Sequence, residues 1–395
     1  MNEPRAAMTA PVIEDFLIAR GGPFWELQRR LGLLHESALH AGRRALLFVG
    51  LAWFVPLLLS AAEGQAVGAW TERPFLLGLG VAARFLVAVA LFVLMERAVE
   101  ERLRVLLRQF VAAPLVAPTA LPAAAVAVNQ ALRRRDDPVA EVVILILAVG
   151  LGLLGARHAA LTDPAPWLAS AEGTLTLAAW WVALVSAPIF WFLLLRWLYR
   201  HFVWAALLRG LGRLDLRLVA THPDGTAGLG FIAQYPNAFA SLVFGMSCVI
   251  GAALAQGLLH GKVDPSAFKY VVGIWLVIVL ALFSFPLLAF SRPLRRLKQD
   301  TTLAYAALAT RHDRAAERSM LGRNLAAAGD ADETGKGDVP DPTKTYATVQ
   351  KLSTWPVKRT ALLPIGLAAI GPLLAAGATL LPVKELLGFA KLLLL

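Results

Sequence analysis

Seven apolar stretches divide this 395-residue chain, and almost every Lys and Arg falls in alternate gaps between them. The stretches cover 45–62, 75–95, 139–156, 175–195, 238–259, 268–290 and 361–381. Each is close to the ~20 residues a helix needs to cross ~30 Å of hydrocarbon. In lipid every backbone N–H and C=O must be paired internally, so only helices and closed barrels cross it. These runs are continuously apolar rather than alternating, which selects helices. The expected fold is an all-α, polytopic transmembrane bundle with short cytoplasmic helical extensions. A composition that is 58% apolar fits no ordinary soluble domain.

The charge pattern orients the bundle. Six Lys and Arg precede the first stretch, seven lie in 96–138, five in 196–237 and thirteen in 291–360. The intervening gaps hold Arg73, then Arg157, then Lys262 with Lys269 just beyond. The positive-inside rule places the N-terminus and the long gaps in the cytoplasm. Six spans follow directly. The seventh contains Pro364, Pro372, Gly366, Gly371 and Gly377. It is read as a full span, with a re-entrant hairpin bent at Gly371-Pro372 as the alternative.

The net charge of +11 raises the question of nucleic acid. The topology rule already accounts for it, and no nucleic-acid-binding signature accompanies it, so no nucleic acid partner is expected. The expected partners are the lipid bilayer, further copies of the chain, and a cytoplasmic protein. The abundance of Arg over Lys with much Ala and Leu suggests a bacterial inner membrane. Cys248 is the sole cysteine, so no intramolecular disulfide forms. No cleavable leader is evident, and the first span reads as an uncleaved anchor.

Four segments organise the chain. Residues 1–44 form a cytoplasmic amphipathic preamble, with Phe24, Leu27, Leu31 and Leu34 at helical spacing. Residues 45–290 hold six spans, with cytoplasmic extensions at 96–138 and 196–237. The 96–110 extension keeps Val99, Leu103, Leu106, Leu107 and Phe110 on one side. The 291–360 segment reads as basic and cytoplasmic, with a disordered linker expected at 324–345. Residues 361–395 form the seventh span or hairpin and an amphipathic tail.

Several residues could carry function. Arg84 sits inside the second stretch, where a charge costs a few kcal/mol unless it faces water or the bundle interior. It is a pathway candidate, against the alternatives of an ion pair with Glu141 or snorkelling outward. Glu141, in the first turn of the third span, either meets the helix dipole or gates a path. Ser247 and Gln256 add polarity to the fifth span as further pathway or gate candidates. Gly251, Ala253 and Gly257 there have the spacing of a helix-packing or oligomer face. The string Leu214–Phe231 alternates and then turns at Pro223-Asp224-Gly225. His222, Asp224, Gly225, Gly228 and Gly230 are loop ligand or gate candidates, against a structural elbow. Pro286 should kink the sixth span.

No catalytic motif is present, so no enzyme, metal site or cofactor is expected. The acids and histidines nearest to a cluster are His201, Asp215, His222 and Asp224. The leading reading is a channel or transporter for a small ion or solute, leaning toward anions. The alternative is a membrane-embedded scaffold or signalling subunit that binds a partner through its cytoplasmic surface.

Overall fold

The computed structural model describes residues 16–33, 40–69, 73–162, 165–169, 174–259, 267–326, 341–357 and 359–378. Among them, seven helices are long and apolar enough to cross a membrane. They are α2 (Ala41–Ala62), α3 (Leu79–Ala112), α5 (Pro138–Thr162), α6 (Leu177–Leu211), α7 (Gly230–Leu259), α8 (Ala267–Leu321) and α10 (Arg359–Gly377). Three short helices complete the set: α1 (Pro23–Arg30), α4 (Leu121–Arg135) and α9 (Thr343–Gln350). The protein is an all-α polytopic membrane protein, as the apolar periods require.

The seventh span is one continuous helix with Pro364 and Pro372 inside it, not a hairpin. It survives because α7 packs along it. A Cβ on Gly251 would lie 3.0 Å from the carbonyl of Pro372, so the two backbones approach through the small residue. Gly251 is thereby turned inward, while Ala253 faces outward. The tail after residue 378 and most of the 324–345 linker lie outside the described residues.

Helix α6 occupies the centre, packed against α5, α4, α2, α3 and the Phe285–Phe290 turn of α8. It runs on well past a membrane's thickness, as its 35 residues require. The α3 extension buries Val99, Leu103, Leu107 and Phe110, the face read from the sequence. Pro286 does interrupt α8, which becomes 3-10 over Phe285–Phe290 before continuing.

Three spans carry a π-helical segment: Gly50–Phe54 in α2, Ala82–Ala88 in α3 and Val182–Ser186 in α6. The segment of α2 touches both of the others. Two have a local cause. Pro56 and Pro188 supply no N–H, and their rings crowd the carbonyls of Ala52 and Leu184, four residues earlier. Both carbonyls lie within the π segments. The ladder loosens there, and the indole Nε1–H of Trp181 donates to the carbonyl of Leu51 at 2.8 Å. Such bulges are frequent at functional sites.

Candidate functional site

The π segment of α3 presents Arg84 to a cavity of about 220 Å³. Gly80, Gly152, Gly155, Trp191 and Gln256 are among its lining residues. The space exists because the facing positions are small. Gly152 lets α5 press against α6: a Cβ there would lie 2.8 Å from the carbonyl of Ala183. Helix α3 starts at Leu79, so Arg84 lies about 8 Å along it. That places it in the third of the bundle away from the basic loops, rather than at mid-depth. Trp167 and Leu168, from the segment 165–169, also line the cavity.

Arg84 makes no ion pair or hydrogen bond with a described residue. Its Nε is buried without a partner, and its guanidinium stands 5.7 Å from the ring of Phe190 and 5.9 Å from that of Phe85. Cation–π contacts of this kind contribute about 0.5–2 kcal/mol. They do not replace the hydrogen bonds that five N–H donors require. The pair with Glu141 considered from the sequence does not form.

Toward the basic side of the cavity lies an aromatic layer. Phe92 and Phe190 are fully buried, with ring centroids 5.8 Å apart. The Nε1–H of Trp197 donates to the carbonyl of Phe92 at 2.8 Å, fixing that layer.

Beyond the layer is a buried ionic network. Arg44 of α2 forms a two-pronged pair with Glu96 of α3, and its Nε donates to Gln28 Oε1 at 2.5 Å. Arg196 of α6 reaches Glu141 of α5 at 2.9 Å and approaches Glu96 at 4.0 Å. Arg44, Glu96 and Arg196 are each under 5% exposed. Arg200 donates to the carbonyl of Ala19 at 2.6 Å, and Arg20 Nε donates to Glu100 at 3.3 Å. Among the described residues, four arginines face three glutamates here.

The N-terminal segment seals this network. The N–H of Phe24 donates to Glu141 Oε2 at 2.6 Å, and Arg196 donates to the carbonyl of Gly21 at 3.2 Å. Gly22 has φ +87°, and a Cβ on it would meet Glu141 Oε1 at 2.6 Å. Only glycine allows the chain to pass so close to the carboxylate. The ring of Phe24 packs on Phe192 and Phe48, and the Arg196 guanidinium stands over it at 5.0 Å. The Phe24 stripe read from the sequence thus divides: Phe24 enters the bundle, whereas Leu27 and Leu31 stay exposed.

The other sequence candidates sit apart from these two sites. Ser247 is fully buried, donates to the carbonyl of Val243 and accepts from Trp275 Nε1, both at 2.8 Å. Gly257, almost three turns further along α7, is half-buried. Asp224 accepts N–H groups from Thr226 at 2.8 Å, Gly228 at 3.1 Å and Gly230 at 2.7 Å. Burial alone would raise its pKa, but these three donors and nearby His222 outweigh it and bring the carboxyl down to about 2. Gly225 and Gly228 adopt positive φ, and the carbonyl of Gly225 accepts from the N–H of Ser353. The loop therefore uses Asp224 internally and fastens the segment before α10. Arg217 N–H donates to the carbonyl of Leu115, forming the short extended contact expected there. His201 is enclosed by Tyr235, Phe239 and Phe283, its Nε2 3.2 Å from the carbonyl of Leu282, while Asp215 is exposed and remote in role.

The network residues Arg44, Glu96, Arg196 and Arg200 were absent from the sequence candidates, although they left a signal. Glu96 and Glu100 fall on the Val99–Leu103 stripe of α3, one turn apart. Arg196 and Arg200 fall one turn apart on the most buried spanning helix. An acid on an apolar face and a base on a facing helix suggest each other. Pro56 and Pro188 marked the π segments in the same way.

The chain matches no protein-family model, and comparison with curated proteins and with solved structures finds no similar one.

Proposed function

We propose that the protein is a channel or transporter for a small anion. One observation carries this reading: Arg84 is a partly buried cation whose buried Nε has no acid or hydrogen-bond acceptor among the described residues, set in a cavity with Gln256 and framed by backbone that has left the α-helical ladder. Burying an unpaired charge is expensive unless a ligand or water completes it. An anion is the complement that this site lacks. The Phe92–Phe190 layer is the gate between the Arg84 cavity and the ionic network. By the charge pattern, the network and the N-terminal segment face the cytoplasm, and the cavity opens outward. The setting is a bacterial inner membrane.

The test is anion flux from liposomes containing the purified chain, with wild type, Arg84→Gln and Arg84→Lys side by side. A unit charge acting a few Å away at an effective dielectric near 20 is worth several kcal/mol. Arg84→Gln is therefore expected to lower flux at least roughly tenfold, with Arg84→Lys in between. Equal flux in all three, or none from wild type, removes this reading.

A second reading, a scaffold for a soluble partner, draws on the part of α8 after the membrane. Residues Ser291–Leu321 bury only Ser291 and Leu294, and leave Leu303, Met320 and Leu321 exposed. Cross-linking in cells to one recurrent partner, lost in Leu303→Asp and Met320→Asp, would favour it over permeation.

A further inference from the structure

The extension of α6 and the inner end of α8 meet on the basic side of the bundle. They enclose a cavity of about 440 Å³, whose lining includes Arg209, Gly212, Arg213, Phe285, Leu288 and Arg292. Two local features build it. Gly212 lets α6 close on the 3-10 turn of α8, since a Cβ there would lie 2.7 Å from the carbonyl of Ala289. Pro286 makes that turn and swings Arg292 toward α6.

Arg209 lies in the last turn of α6 and Arg213 in the turn just past its end, so two like charges stand near each other and repel. Arg292 comes from the facing helix. Among the described residues no carboxylate lines the cavity, and none of the three arginines forms an ion pair. Several arginines elsewhere on this side carry their own acids. Arg29 and Arg30 pair with Glu26, Arg97 with Glu101, and Arg135 with Asp136. Three convergent, uncompensated guanidinium groups are the chemistry that grips phosphate, because each planar fork matches two of its oxygens. Phe285 and Leu288, each a little under half exposed, add an apolar rim, and Arg209 stands 5.7 Å over the Phe285 ring.

We infer that this cavity binds a phosphate group, carried either by an anionic lipid headgroup or by a soluble phosphate compound. The inference is independent of the anion path at Arg84, which lies near the opposite face.

Binding is measured on the full chain in neutral detergent. One arm adds dioleoyl phosphatidic acid, against phosphatidylcholine with the same acyl chains, and counts bound lipids by native mass spectrometry. The other adds inorganic phosphate and reads both heat of binding and displacement of the lipid. Each neutralised arginine is worth about 1 kcal/mol near a membrane, so R209Q, R213Q and R292Q should each weaken binding roughly fivefold. R209K keeps the charge but loses the fork, and should fall between wild type and R209Q. R133Q removes the same charge from the same side and should change nothing. Dependence on these arginines in the lipid arm alone identifies a headgroup site; dependence in both arms identifies a soluble phosphate site. Binding unchanged in all three variants, or weakened equally by R133Q, overturns the inference, as does the absence of binding in both arms.

Discussion

Arg44 and Arg84 are both arginines inside spanning helices, yet their surroundings are opposite. Arg44 is under 2% exposed and fully matched, with Glu96 and Gln28 taking its donors. Arg84 has two phenyl rings, an open cavity and no acceptor among the described residues. A matched charge holds helices together and resists change. An unmatched charge stays ready for something that arrives from outside. Position along the helix does not separate the two, since both lie near span ends. The difference lies in what the neighbouring helices bring: acids on the basic side, glycines on the other.

Breaking the matched site should have the largest effect. Arg44→Met leaves Glu96 charged and buried, which typically costs about 3–5 kcal/mol. The detergent-solubilised melting temperature should fall sharply. Arg44→Met combined with Glu96→Leu should recover much of that loss, because two apolar groups of similar size leave no orphan charge. A single variant as stable as wild type would place Arg44 in the same class as Arg84.

The seal over the network comes next. Gly22→Val puts a branched side chain at φ +87° against Glu141, costing about 1–3 kcal/mol. Limited proteolysis should then cut within residues 16–33 faster than in wild type, while the spans stay intact. Unchanged protection would mean that the segment does not depend on the close pass beside Glu141.

Asp224 offers a matched charge outside the spans. Its carboxyl titrates at about 2 when folded, against 3.8 ordinarily. A depressed carboxyl stabilises above its unfolded value and loses that contribution as pH falls through the folded one. The contribution, about 1–2 kcal/mol, is therefore complete above about pH 4 and fades toward pH 2. Hydrogen exchange of the Thr226, Gly228 and Gly230 amides should follow that fall, and Asp224→Asn should abolish the pH dependence. Equal protection at pH 5 in wild type and Asp224→Asn would contradict it.

The smallest stability effect should come from Arg84. Arg84→Gln removes no ion pair, so the melting temperature should move by less than the equivalent of about 1 kcal/mol. Loss of stability comparable to Arg44→Met would show that Arg84 is structural.

Much of this fold was legible because its signals are one-dimensional. Apolar length and the alternation of Arg gave the spans, and Asp137-Pro138 capped α5 as expected, its Oδ1 accepting the N–H of Val139 at 3.0 Å. The partners of charges were not legible. Glu141 could be placed on a helix face, but its pairing with Arg196 depends on how α5 crosses α6, and Gly152 and Pro188 set that crossing at close range. Arg84 could be placed inside the second stretch, but its lack of a partner depends on four helices at once. The π segments were half legible, through Pro56 and Pro188. The one that holds Arg84 has no proline to announce it.

Ion selectivity tests the central claim most directly. With a salt gradient across liposomes, the reversal potential reports whether anions or cations carry the current. Wild type should be anion-selective, and Arg84→Glu, which puts a negative charge in the same cavity, should shift the potential toward cations. A reversal potential identical in wild type and Arg84→Glu would contradict the assignment of Arg84 to the path.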